Sequence, residues 1–218
     1  MTRFDDRAQP KGKDGDDFQR FVWEALKRNH FEKLLADRHL RPYFASGRDG
    51  AIDHVAIGDD DQIVFECKFF GKDRSDNPDS DWDRLAVTLG NNLRDNAAGA
   101  VEKIHRLYKP WFDVGRPIKG YWFCTSGIFT PGGQSDLRQK IKDFFAELAR
   151  EFGSLSHLAN IDIEVLGWND FDGALADNLP LKFRWFQELP VGLRPIRVRT
   201  ELCPNLVFDD LKRSGVSG

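Results

Sequence analysis

Asp53, Glu66 and Lys68 are residues whose types and spacing equip them for shared chemistry. Side chains two apart on a strand share a face, so Glu66 and Lys68 project together, on the side of Val64 and Phe70. The strand that carries them, 62–70, is otherwise almost wholly apolar, and charges are rarely buried unless they are paired or bound to a metal. A turn at Gly58-Asp59-Asp60-Asp61 folds the strand over 52–57 against it as a hairpin, which brings Asp53 alongside. Two carboxylates and an ammonium at the centre of a buried sheet make a place for a metal ion. The ordinary reading of an acid-x-lysine pair is a weak ion pair on a half-exposed strand. The apolar strand and the glycine turn at 47–50 favour the site.

The elements that must position these residues follow from periodicity and punctuation. Phe18, Phe21, Val22, Ala25 and Leu26 recur at helical spacing and predict a helix over 16–28, with a short helical stretch over 31–37 after it. A strand over 41–45 leads into the Ser46-Gly47-Arg48-Asp49-Gly50 turn and the hairpin. A polar loop spans 71–81, and a long helix is expected over 82–108, with a bend or break at Asn96-Ala97-Ala98-Gly99. Next come a connector over 110–117, an aromatic central strand over 118–124, and a helix over 135–152. A strand over 161–166 and a small helix over 168–179 complete the pattern. The charged, glycine- and proline-containing residues 1–15 read as a mobile arm. Residues 16–192 form the expected domain, and 193–218, with Pro195 and Pro204, read as a linker or tail leading to a further domain of a longer protein.

Composition narrows the function classes. No apolar run approaches the roughly 20 residues of a membrane helix, and the N-terminus is too charged for a signal peptide. Cys67, Cys124 and Cys203 are scattered without metal-ligand spacing, which suits a reducing cytoplasm. The formal net charge of −3 argues against a tight non-specific nucleic-acid binder acting alone, while a local patch or an oligomer can still meet phosphates. There is no GxxxxGK[ST] phosphate loop, no HExxH or Cys/His zinc pattern, and no visible serine or cysteine nucleophile with a placed histidine.

Order and spacing together carry a resemblance. Gly47-Arg48-Asp49-Gly50-Ala51-Ile52-Asp53, then Glu66-Cys67-Lys68 inside a β-rich run, resembles the PD-(D/E)xK nuclease core, closest to Mrr-type restriction endonuclease domains. The resemblance implies an α/β fold: a restriction endonuclease-like αβββαβ core whose central mixed sheet is flanked by helices. It implies Mg²⁺, with Mn²⁺ as a substitute, held by Asp53, Glu66 and the backbone carbonyl of Cys67. Lys68 then orients the attacking water or stabilises the transition state. The implied activity is hydrolysis of DNA phosphodiester bonds, with double-stranded DNA favoured. The stretch Arg199 to Leu206 resembles the connector in bacterial anti-phage proteins, where such a nuclease precedes a STAND-type NTPase sensor and works as a homo-oligomer when activated. No membrane partner is implied.

Further candidates surround this set. Glu24, on the first helix, is where many members of that family place an additional acid, although its position off the apolar stripe also suits a solvated face. Arg48 is a candidate phosphate contact, and Asp49 competes with Asp53 as the first acid. His54 should point to the face opposite Asp53, and Thr125 and Ser126 read equally as phosphate contacts or turn residues. Two alternatives stand beside the DNA nuclease: an inactive nuclease-fold module for nucleic-acid binding or assembly, and an RNA-directed nuclease.

Overall fold

A computed structural model describes residues 4–7, 14–35, 38–42, 51–70, 78–100, 105–113 and 115–186. The chain divides into two compact units, Met1–Gln187 and Glu188–Gly218, and the second lies outside the described residues, as does the linker expected over 193–218.

The elements of the first unit run in order α1 (Asp14–Leu26), α2 (Asn29–Leu35), β1 (His39–Pro42), β2 (His54–Ile57), β3 (Gln62–Lys68), α3 (Asp79–Ala97) and α4 (His105–Phe112). They continue as β4 (Ile118–Thr125), α5 (Gly133–Glu151), a 3₁₀ segment (Gly153–Asn160), β5 (Asp162–Leu166), α6 (Trp168–Ala176) and α7 (Leu179–Phe186). The five strands form one mixed sheet in the order β1-β2-β3-β4-β5. β1, β2 and β3 pair antiparallel, while β3, β4 and β5 run parallel. A parallel sheet needs both faces covered, which is why β3 and β4 read as near-continuous apolar runs.

Two cores lie on opposite faces of that sheet. On one, Phe65, Cys67, Trp122 and Cys124 pack under α1, α6 and α7. On the other, Val64, Tyr121, Phe123 and Val165 pack under α3, α4 and α5. Both crossovers, β3 to β4 and β4 to β5, therefore use this second face. At the loop end, the Gly58 amide donates to the Asp61 carbonyl (2.9 Å). Arg38 grips the Asp61 carboxylate with two hydrogen bonds of 2.8 and 2.9 Å, which ties the hairpin turn to the start of β1.

The α/β mixed-sheet architecture is the one expected, and several boundaries differ from the sequence reading. The break expected at 96–99 is present: α3 ends at Ala97 and Gly99 turns into the left-handed region (φ 72°), so the stretch over 82–108 holds two helices. α4 runs through Pro110 to Phe112, where a connector was expected; it seats Trp111, which stacks on Phe145. The strand predicted over 41–45 is observed at His39–Pro42. α7 is additional: Asn178 caps it by accepting from the Leu181 amide (3.1 Å). The mobile arm expected over 1–15 does not hold for residues 4–7. Phe4 is buried against Phe18, Phe21, Phe69, Trp168 and Trp185, and Arg7 bonds Asp14 (2.6 Å) and Asp17 (3.0 Å) of α1.

Candidate active site

β2 is shorter than β3, and the site is built where it stops. Pairing ends at His54 against Phe65, with the Asp53 amide donating one last bond to the Phe65 carbonyl (2.7 Å). The Asp53 side chain then does what the next backbone carbonyl would have done: its Oδ2 accepts from the Cys67 amide at 2.6 Å. A charge-assisted bond of this kind, 3% exposed, fixes the carboxylate against the strand. Successive residues send their backbone groups to alternate edges of a strand. The Cys67 carbonyl thus lies on the same edge as its amide, beside Asp53.

Glu66 is 1% exposed and points to the α3/α5 face, and Lys68 Nζ lies 2.5 Å from its Oε1. The Lys68 side chain, 36% exposed, carries the pair from the core to the surface. Both residues sit toward the carboxyl end of β3, beside the carboxyl end of β4, the edge where α/β sheets bind ligands.

The fields of the two acids overlap around this point. The Cys67 thiol is pushed well up, first by burial, then by its hydrogen bond to Cys124 and by the charge of Asp53. It stays protonated on the α1 face, so only the backbone of Cys67 serves the site. Tyr121 is a site neighbour that sequence reasoning missed. Its phenol is buried without a hydrogen-bond partner and is pushed well up by burial, then by Glu66 and Asp53. The signal was its place on β4, on the face that Glu66 shares, inside a run that read simply as core aromatic.

Other candidates fall elsewhere. His54 is buried with Nε2 2.9 Å from the Gln19 carbonyl of α1, on the face opposite Glu66, and desolvation lowers its pKa to about 4. Both carboxylate oxygens of Glu24 are engaged by α7: Oε2 accepts from Trp185 Nε1 and Oε1 pairs with Arg184 Nη2, each at 3.0 Å. Glu24 thus ties two helices together. The hydroxyls of Thr125 and Ser126 are taken up locally, by the Gly127 amide (3.0 Å) and by the backbone of Phe70 (2.7 and 3.1 Å). Arg48 and Asp49 lie outside the described residues.

Among the described residues no group of three His, Cys, Asp or Glu side chains is arranged to hold a metal. The donor set here is smaller: the carboxylates of Asp53 and Glu66 with the Cys67 carbonyl. These are hard oxygens, and their number suits Mg²⁺, which takes one or two carboxylates and fills its other positions with water and substrate phosphate.

The mixed sheet flanked by helices, with acids and a lysine at its carboxyl edge, has the layout of a nuclease core. The chain belongs to the nuclease-related domain (NERD) family, whose model matches residues 11–130, more than half of its length. That match runs from α1 through β4 and contains Asp53, Glu66 and Lys68. No curated protein and no solved structure matches the chain. No helix among the described residues is long and apolar enough to cross a membrane.

Proposed function

We propose that this chain is a Mg²⁺-dependent endonuclease that hydrolyses DNA phosphodiester bonds, with Mn²⁺ as an alternative ion. The observation that carries the reading is the overhang of β3. Asp53 is locked to the Cys67 amide and Glu66 is held by Lys68 at the carboxyl edge of the sheet, all within a nuclease-family match. When bound, Mg²⁺ would supply Lewis-acid stabilisation of the phosphate and a water of lowered pKa. Asp53, Glu66 and the Cys67 carbonyl would hold it.

The chain's own residues do the rest. The Cys67 amide fixes the rotamer of Asp53, and the ion pair with Lys68 fixes the position of the buried Glu66 carboxylate. The Lys68 ammonium, partly exposed, hydrogen-bonds the incoming water and offsets charge that develops on the phosphate oxygens. Water attacks phosphorus and gives up a proton to solvent, the bond to the leaving oxygen breaks and that oxygen takes a proton from solvent, and no covalent enzyme intermediate forms. Double-stranded DNA as the polymer follows from the restriction-type likeness of the motif. With a net charge of −3, several copies together would supply the phosphate contacts that one lacks. The likeness of residues 199–206 to the connector before an NTPase sensor supports an anti-phage effector that works when oligomerised.

The test is plasmid cleavage by the full chain in Mg²⁺ or EDTA, beside Glu66→Ala and Lys68→Ala, with RNA run in parallel. Cleavage of DNA that needs Mg²⁺ and falls by about 100-fold or more in Lys68→Ala is the expected result. Cleavage of RNA alone would reassign the substrate. Absence of cleavage and of metal binding, even in crosslinked copies, would leave an assembly module.

A further inference from the structure

We propose that Ser126 is a positioning residue for Lys68, latching the end of β3 so that the ammonium stays on Glu66; this rests on Lys68 working in a nuclease site. β3 outruns β2 by three residues, so on the β2 side its last part is held at Cys67 by a side chain, Asp53. On the other side the β3–β4 pairing ends at Lys68 against Thr125. Ser126 takes over there with three hydrogen bonds. Its amide donates to the Lys68 carbonyl (3.2 Å), its Oγ accepts from the Phe70 amide (2.7 Å), and its O–H donates to the Phe70 carbonyl (3.1 Å). Lys68 is thereby pinned from both flanks, at Cys67 by Asp53 and at Phe70 by Ser126.

The arrangement is buried: Ser126 is 7% and Phe70 2% exposed, so water is a poor substitute for the hydroxyl. The Thr125 hydroxyl is turned to a different partner, accepting from the Gly127 amide (3.0 Å). The side chain of Lys68 is long and rotatable, and its head finds Glu66 only as well as its backbone is placed. A shift of the strand end by a fraction of an ångström would move the ammonium off the carboxylate and off any reacting phosphate.

Steady-state plasmid cleavage in Mg²⁺ tests this with Ser126→Ala, Ser126→Thr, Lys68→Ala and the double variant Ser126→Ala/Lys68→Ala. Ser126→Ala should lower kcat by about 10-fold with KM changed by less than about 2-fold, and Ser126→Thr, which keeps the hydroxyl, should recover most of that loss. In the Lys68→Ala background, Ser126→Ala should cost nothing further. A full additional loss there, or an unchanged kcat in the single variant, overturns the proposal. Amide hydrogen exchange serves as a readout independent of activity. Faster exchange confined to Lys68 and Phe70 in Ser126→Ala supports the latch even in a chain that cleaves nothing. In that case it is the nuclease reading that fails. Unchanged exchange at Phe70, or a loss of protection spread over the whole domain, overturns the latch.

Discussion

Glu24 separates a family expectation from what the fold does with the residue. If it ties α1 to α7, Glu24→Ala removes the acceptor of the Trp185 indole N–H and the partner of Arg184. The indole is buried, and a buried donor left without its partner costs about 1–3 kcal/mol. Arg184 is 68% exposed, so that ion pair adds about 0.2–1 kcal/mol. Together the expected loss is about 1–4 kcal/mol, a downward shift on the order of 1 M in a urea midpoint. Glu24→Gln keeps an oxygen for the indole and loses mainly the charge, so it should cost less than about 1 kcal/mol. Neither variant should lose nuclease activity well below its unfolding midpoint. Urea denaturation followed by tryptophan fluorescence, with cleavage measured on the same samples, reads both quantities. An unchanged midpoint in Glu24→Ala, together with equal and large losses of cleavage in both variants, would refute the clamp and restore Glu24 as a site acid.

Three further outcomes follow from the same structure. A Cβ added at Gly167 would clash with the Phe129 ring and lie 3.1 Å from the Gly127 carbonyl; Gly167→Ala should destabilise by about 1–3 kcal/mol, and Phe129→Ala in the same chain should relieve part of it in thermal melts. The unfolded chain takes up a proton on His54 more readily than the folded one, where burial, opposed by the Gln19 bond and aided by Lys27, lowers its pKa to about 4; stability should therefore fall as pH drops from about 6.5 toward 4. A variant without the imidazole, His54→Gln, should lose about 2–3 kcal/mol less than the native chain between pH 7.5 and 4.5 in EDTA, and parallel curves would contradict this. Asp53→Asn keeps an acceptor for the Cys67 amide, so it should fold and melt near the native temperature yet cleave nothing. Asp53→Ala should lose both, the stability by about 1–3 kcal/mol.

The hairpin was legible because alternation and the Gly58 turn are local signals: Glu66 and Lys68 had to share a face whatever the rest of the chain did. The mixed sheet followed from helical patterns placed between the later strands. What escaped depends on distant contacts. Phe4 stands alone in a charged stretch, and only the aromatic cluster under α1 and α7 explains its burial. Pro110 signalled a helix end, yet burial of Tyr108 and Trp111 holds α4 through it. α7 did carry a local signal, the Asn178 cap followed by Pro180 in the first turn, which the surrounding prolines obscured. In the site, the acids were visible as residue types, while the bond from Asp53 to the Cys67 amide was not. It depends on β2 stopping short.

That mismatch in strand length has a bearing on solubility as well as chemistry. An unpaired stretch of apolar strand is a template on which another chain can add. Here the donor that the overhang turns toward β2, the buried Cys67 amide, is already occupied by a carboxylate that brings a charge to the same edge. Asp53 thus closes the sheet to incoming strands at the place where a nuclease must stay open to a polyanion.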